Sequence, residues 1–532
     1  MTKIAVIGAG PSGIVMTKEL IEQGFDVTCF EAGDAIGGVF ATTYENCQLT
    51  SSTLVTRFSD FDDPDSIAPR IWMVDEYLGY LRRYVDHFKL AAYIQFSTRV
   101  EQVRSDGTGD GYQVITRASD GQTRTHRFDR VAVCTGTHQE PSRPNFSGAE
   151  AFQGRILHSA EYQNPSPFTG RRVLVVGGGE SGSDISRAVA EVAAASAISI
   201  RGKSGFLVPR YFMGNPADID TARSHYSFPV WWGRYYHSAR FYSIFPLSLG
   251  YQFFGSPEKK AEAPLLRTWA RLQLRRHPSA FTTFGTKNLG MVEAMTRYGC
   301  ELKPAIDHLD ARGAVFTDGS RFDCDVIICA TGFQNHFPFL EEAYGDYMDD
   351  LKVSRRLYKH CIHPKIGETM FFCGFARPHF GALPPVSEMQ ARWFALLTKG
   401  DLTLPSIEEM EQAIAADSQA TFDRFGATAE RITTLISFLD YLDDMARIIG
   451  CAPPLAALKK RNPRLWRQIV LGPICTAQYR LRGPGAKPEV ATEILMQLPL
   501  GRNSTDLYLI SLFDKLSKLP GLGHFAPSAA WI

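Results

Sequence analysis

Two glycine clusters, and the charged residues set behind them, offer the first chemistry in this sequence. Gly8-Ala9-Gly10-Pro11-Ser12-Gly13 follows the apolar run Ile4-Ala5-Val6-Ile7 and precedes a helical pattern through Ile14, Leu20 and Ile21. In such a turn Gly8 permits the tight bend, Gly10 lets the backbone approach a pyrophosphate, and Gly13 lets strand and helix pack closely. The helix N-terminus adds the positive end of its dipole. Glu31 closes the next predicted strand eighteen residues past Gly13, where a carboxylate would accept ribose hydroxyls. Gly177-Gly178-Gly179-Glu180-Ser181-Gly182 repeats the pattern after Arg172-Val173-Leu174-Val175-Val176, with Ser183 and Asp184 continuing into the predicted helix. Here the following strand ends in Arg201, with Lys203 beyond it. A guanidinium or ammonium at that place suits a 2′-phosphate and favours NADPH over NADH. An adenine-linked flavin at the acidic site and a nicotinamide at the basic one make a hydride-transfer flavoenzyme, with FAD and NADPH as cofactors.

The elements that must hold these turns are short β-branched runs alternating with helical segments, the pattern of buried parallel strands and crossover helices. A second repeat supports two such units. Asp129-Arg130-Val131-Ala132-Val133-Cys134-Thr135-Gly136 resembles Asp325-Val326-Ile327-Ile328-Cys329-Ala330-Thr331-Gly332, each an apolar strand returning toward a nucleotide. The predicted class is α/β: two Rossmann-like dinucleotide-binding domains, the NADPH domain inserted into the FAD domain. Turn-rich stretches place the crossings around 138–168 and 326–340. The FAD domain is then 1–168 with 326–532, and the NADPH domain is 169–325, carrying an aromatic-rich insertion at about 206–280. Residues 225–254 hold twelve aromatics, among them Tyr226, Trp231, Trp232, Tyr235, Tyr236, Phe241, Tyr242, Phe245, Phe253 and Phe254. They predict a buried subdomain core; a substrate tunnel wall and a membrane-dipping surface are the rival readings.

A chain of 532 residues with 44% hydrophobic and 21% charged residues has the balance of a globular protein rather than a disordered one. Its 57 Lys plus Arg against 56 Asp plus Glu provide no global field for nucleic acid or an acidic membrane. The ten cysteines contain no CxxC pair, so a reducing, cytoplasmic setting is expected, with the thiols as small core residues. No secretory leader or spanning segment is read, although a peripheral membrane contact remains compatible with the pattern. No HExxH or Cys/His spacing predicts a metal.

With both nucleotide motifs in place, the sequence resembles the class B flavin-containing monooxygenases. Phe152-Gln153-Gly154-Arg155-Ile156-Leu157-His158-Ser159-Ala160-Glu161-Tyr162 fits that family's FxGxxxHxxxY/F fingerprint. Related Baeyer-Villiger enzymes typically end it with Trp followed by Pro or Asp, whereas Tyr162 is followed by Gln163. The resemblance continues in Gly37-Gly38-Val39-Phe40, Phe58-Ser59-Asp60-Phe61, Ala330-Thr331-Gly332-Phe333, Gln390-Ala391-Arg392-Trp393 and Gln478-Tyr479-Arg480-Leu481-Arg482-Gly483. It implies that Gly38, Val39, Phe40, Thr50, Ser51, Thr331 and Gly332 join the glycine turns as cofactor-binding residues. Residues 505–522 carry only a modest amphipathic pattern in place of the long C-terminal anchor of animal relatives.

The resemblance also implies the reaction. NADPH would reduce FAD, O₂ would form a C4a-hydroperoxyflavin, and a soft nucleophilic nitrogen or sulfur of a small molecule would take its distal oxygen. Baeyer-Villiger ketone oxidation is the alternative. A disulfide reductase would need a redox-active cysteine pair, and a non-catalytic nucleotide-binding regulator would not oxidise NADPH. The residues assigned to catalysis are Thr50, Ser51 and His158, the last as a link between domain motion and NADPH handling rather than a base. Counted back from Phe58, Thr50 stands where the family carries an Asn. A hydroxyl lacks the amide's separate donor and acceptor ends, which implies a shorter-lived oxygenated flavin. The expected partners are the substrate and O₂, with no nucleic acid; a homodimer is compatible with the sequence.

Overall fold

The computed structural model describes residues 1–107, 111–201, 206–212, 214–229, 231–232, 243–274, 285–500 and 505–527. Two parallel sheets organise it. In the first, Met370–Phe372, Arg130–Val133, Lys3–Ile7, Asp26–Phe30 and Ile94–Gln95 lie side by side in that order. In the second the order is Arg155–His158, Val326–Cys329, Arg172–Val176, Ala195–Ser199 and Glu301–Lys303. Each sheet places the strand ending in Thr-Gly beside the strand that enters the glycine turn. The sequence repeat is therefore a topological repeat. All strands of the second sheet fall in sequence between Arg130–Val133 and Met370–Phe372 of the first, which makes it the inserted domain.

Its strands run from Arg155 to Cys329, beyond the expected 169–325 at both ends. The stretches read as crossings thus contain two structural strands of the inserted sheet. What remains of them pairs up: Glu140–Pro141 lies antiparallel to Phe333–Gln334, so the two passages between domains form one short ribbon. Each domain also carries a three-stranded antiparallel meander before its Thr-Gly strand: Thr98–Ser105, Tyr112–Ala118 and Thr123–Phe128 in the first, Ile306–Asp310, Gly313–Phe316 and Arg321–Asp323 in the second.

The first glycine helix, Pro11–Glu22, packs against the buried helix Leu383–Lys399. Buried charges fasten this pair to the C-terminal half. Lys18 Nζ lies 2.9 Å from Glu19 and 2.9 Å from Glu22, and also meets Asp60. Arg480 reaches Glu388 at 2.9 Å and Ser59 Oγ at 2.7 Å, and contacts Glu19. Burial alone would raise the Asp60 carboxyl, but Arg480, Lys18 and Lys487 hold it well below the usual range.

The aromatic-rich segment divides. Phe228, Trp231 and Trp232 pack with Phe513 of the helix Asp506–Ser517, so the amphipathic C-terminal stretch covers them. The helix Ile244–Phe254 instead exposes Phe245, Leu247, Leu249, Phe253 and Phe254. Tyr235, Tyr236, Phe241 and Tyr242 lie outside the described residues. Nine of the ten cysteines are buried, and all ten are free.

Candidate active site

The two glycine turns share a division of labour. Gly8 has φ +100°, and a Cβ on it would sit 2.9 Å from the Cys134 carbonyl oxygen; one on Gly13 would sit 1.7 Å from the Gly8 carbonyl oxygen. Gly177 and Gly182 meet the same obstacles, with Cβ positions 2.4 Å from the Ala330 carbonyl and 2.0 Å from the Gly177 carbonyl. Gly13 and Gly182 are required by strand–helix packing, and Gly8 and Gly177 by their positive φ and the carbonyl at the end of the neighbouring strand. Gly10 and Gly179 are different. A Cβ on Gly10 would find only Gly38 backbone, at 3.6 Å, and one on Gly179 would meet nothing within 4 Å. The middle glycine of each turn faces open space at a helix N-terminus, the shape a pyrophosphate needs.

Around the first turn, Glu31 accepts from the Ala9 amide at 2.7 Å and the Gly33 amide at 2.8 Å. These bonds fix the carboxylate beside the turn. Gly37 N donates to Ala9 O at 3.0 Å, which sets Gly38 opposite Gly10. Val39 is exposed, and Phe40 meets Tyr77 edge-on. Pro11 opens the helix, and Ser12 Oγ lies 2.9 Å from Ser387 Oγ of the helix behind it.

Around the second turn, Ser181 is half-buried, while Ser183 is fully buried and accepts from Met291 N at 2.9 Å. The Ser183 hydroxyl thus faces the neighbouring helix Gly290–Tyr298. The strand expected to end at Arg201 stops at Ser199, leaving Arg201 exposed beyond it. Lys203 lies outside the described residues.

His158 is fully buried. Its Nε2–H donates to the Gly332 carbonyl at 3.0 Å, and its Nδ1 accepts from Ala160 N at 3.1 Å. Burial lowers its pKa. Both ring nitrogens are engaged, so the neutral ring braces the fingerprint strand against Gly332 and leaves no nitrogen for proton transfer. The Thr331 hydroxyl donates to the Ser142 carbonyl, which ties the second Thr-Gly strand to the ribbon between domains.

Thr50 and Ser51 sit on the loop Gln48–Ser52 at the boundary of the two domains. Ser51 Oγ lies 2.8 Å from Thr56 Oγ1, and Thr50 is half-buried. The second domain supplies this loop with partners that sequence reasoning did not find. Arg210 donates to the carbonyls of Gln48 and Leu49, at 3.1 and 3.2 Å, and to Asp184 at 2.9 Å through both terminal nitrogens. Asp184 also accepts from Tyr44 at 2.9 Å and from Asn288 at 2.6 Å, so its carboxylate belongs to a cross-domain node. Lys287 is buried with Nζ 3.4 Å from the Gly381 carbonyl; burial lowers its pKa, against the pull of Asp218 and Glu180. Burial raises the Glu180 carboxyl, whose Oε1 accepts from Lys287 N at 2.6 Å. None of Tyr44, Arg210, Asp218, Lys287 and Asn288 lies within a recognisable short motif. Only Glu180, inside the second turn, had a sequence signal.

Two pyrophosphate-shaped crevices, one backed by an acid, with a polar loop between the domains, define a two-nucleotide redox protein. A family model for flavin-binding monooxygenase-like proteins matches residues 1–228 and 292–505. The chain belongs to that family and is a flavin-dependent monooxygenase, an oxidoreductase that uses FAD and NADPH. It is 32% identical over 508 residues to a 4-hydroxybenzoate brominase (decarboxylating) of Marinomonas mediterranea, covering 93% of each chain. It is 31% identical over 507 residues to flavin-containing monooxygenase 5 of Homo sapiens, covering 91% of this chain and 90% of the relative. The fold is similar to S-allyl-L-cysteine S-oxygenase from Allium sativum (TM-score 0.58, 22% identity, 87% and 94% of the chains). It is also similar to a closed cyclohexanone monooxygenase (TM-score 0.60, 19% identity, 85% and 98%).

Proposed function

We propose that the protein transfers one oxygen atom from O₂ to a soft nucleophilic nitrogen or sulfur of a small molecule, at the expense of NADPH. FAD, when bound, supplies the activation of O₂. The chain's own work is to bind, orient and exclude water. Gly10, Gly38 and Glu31 would hold FAD; Gly179, the N-terminus of Glu180–Val192 and Arg201 would hold NADPH. Thr50 and Ser51 would offer hydroxyls to the reacting face.

The uncharged character of the loop Gln48–Ser52 carries the choice of nitrogen or sulfur over a ketone. Insertion beside a carbonyl needs an anionic oxidant, and so a cation placed to hold it. The loop has none; nearby, the Arg210 guanidinium is committed to Asp184 and two carbonyls, and the buried Lys287, whose pKa burial lowers, faces Asp218 and Glu180. Transfer to an amine or thioether uses a neutral oxidant, for which a hydroxyl donor suffices. The test is product analysis of the yellow, FAD-loaded protein with NADPH, tertiary amines, thioethers, cyclic ketones, and bromide with 4-hydroxybenzoate. An N-oxide or sulfoxide at +16 mass is expected. A lactone alone, or a brominated phenol alone, would overturn the assignment.

The exposed helix Ile244–Phe254 supports a peripheral contact with a lipid surface as part of the same reading.

A further inference from the structure

The segment from Arg210 to Asp218 leaves the second domain, turns back on itself through the pairing of Tyr211–Phe212 with Asn215–Pro216, and reaches the first domain's loop Gln48–Ser52. Its side chains touch that loop at the loop's backbone atoms. Arg210 takes the carbonyls of Gln48 and Leu49 at 3.1 and 3.2 Å. The Asp218 carboxylate accepts the Ser52 amide at 2.7 Å. Between them the Tyr211 hydroxyl accepts the Ile71 amide at 2.8 Å, on the stretch that lies beside the loop through Leu49 N and the Trp72 carbonyl at 2.9 Å. Thr50 and Ser51 are therefore bracketed: the two carbonyls before them and the amide after them are held from the other domain.

The bracket has its own anchor. Asp184, on the helix that opens at the second glycine turn, holds both terminal nitrogens of Arg210 and is itself fixed by Tyr44 and Asn288. Arg210 is only 14% exposed by its side chain, so these are shielded, charge-assisted contacts with defined geometry. A continuous path thus runs from the nucleotide turn of the second domain through Asp184 and Arg210 to the backbone beside Thr50.

We propose that Arg210 and Asp218 are positioning residues that clamp the loop Gln48–Ser52 to the second domain, so that the Thr50 and Ser51 hydroxyls are aimed only when that domain is docked. The clamp acts on coupling, meaning oxygen delivered to substrate rather than released as hydrogen peroxide, and not on nucleotide affinity. Its effect on coupling rests on the reading that Thr50 and Ser51 border the site of oxygen transfer; its hold on the loop does not.

Two measurements separate these. The first is amide hydrogen exchange of peptides spanning 44–58 in the FAD-loaded protein, with no NADPH or substrate present. Asp218→Ala and Arg210→Ala should speed exchange at the loop by at least about tenfold, as expected when a shielded hydrogen bond that closes a loop is removed. Asp218→Asn keeps an acceptor oxygen for Ser52 N and should restore protection, whereas Arg210→Lys, which cannot span both carbonyls, should not. The second is hydrogen peroxide released per NADPH in the presence of substrate, which should rise several-fold in the two alanine variants while KM for NADPH shifts less than about twofold. Unchanged loop exchange in the two alanine variants would overturn the clamp. Faster loop exchange with unchanged peroxide yield would uphold the clamp and overturn the placement of Thr50 and Ser51 at the oxygen-transfer site.

Discussion

Thr50 offers one hydroxyl where an amide would offer a donor and an acceptor on separate atoms. The loop is held by its backbone, so a side-chain change at 50 should alter chemistry without loosening the fold. Thr50→Asn is expected to lower hydrogen peroxide release in the absence of substrate by up to about tenfold, the scale of one neutral hydrogen bond. Peroxide and NADPH consumption measured together check this; equal release in both proteins would place the relevant group elsewhere. Arg201 makes a second prediction at this scale. It stands exposed past the strand end at Ser199, free to meet a 2′-phosphate. Arg201→Ala should raise KM for NADPH by roughly one to two decades and leave NADH turnover unchanged. A parallel rise for both nucleotides would assign phosphate recognition to another residue.

Among the elements, the glycine turns were legible in the sequence because their glycines all lie within six positions, although the carbonyls that exclude a Cβ from Gly8 and Gly177 come from the distant Cys134 and Ala330. The structure sharpens this into a prediction that the motif alone does not make. Gly10→Val should fold and lose FAD, because its Cβ meets no protein atom nearer than 3.6 Å, whereas Gly13→Ala should unfold the strand–helix unit, its Cβ falling 1.7 Å from a carbonyl oxygen. Circular dichroism and bound-flavin absorbance on each variant separate the two outcomes. What stayed hidden depends on contacts distant in sequence. Arg155–His158 is too short and too polar to announce itself as a strand, yet Val326–Cys329 captures it. Arg210 meets Asp184 and Leu49 across 26 and 161 residues. The same holds for the charges behind the first glycine helix. Arg480 faces Glu19, Glu388 and Asp60 in full burial, and Arg480→Met should cost about 3 to 5 kcal/mol, chiefly by leaving the buried Glu388 carboxylate without its ion-pair partner. Denaturant titration reads that loss. Because the folded Asp60 pKa lies below its ordinary value, the unfolded chain takes up the proton first; the stability this contributes is present above that ordinary value and is lost as pH falls below it.

At the scale of the whole molecule, the C-terminal helix covers Phe228, Trp231 and Trp232, three of the eight described aromatics of the aromatic-rich segment. Among the described residues, the helix Ile244–Phe254 is not covered in the same way. It carries no charged residue, and it leaves Phe253 64% and Phe254 91% exposed, with exposed Lys259 and Lys260 on the helix that follows. No helix among the described residues is long and apolar enough to cross a membrane. The combination of exposed rings and adjacent lysines matches an interfacial element, rings at the acyl boundary and ammonium groups at the headgroups. Transferring two phenylalanine side chains out of water is worth roughly 1.5 to 3 kcal/mol each. Phe253→Ser with Phe254→Ser should therefore reduce sedimentation with vesicles of mixed neutral and anionic phospholipid by at least about tenfold, with NADPH oxidation in lipid-free buffer unchanged. A wild-type protein that stays in the supernatant at all vesicle concentrations would exclude the lipid contact. If the double variant instead converts a dimer to a monomer in light scattering, the rings are covered by a second copy of the chain, and the apolar helix is a subunit interface.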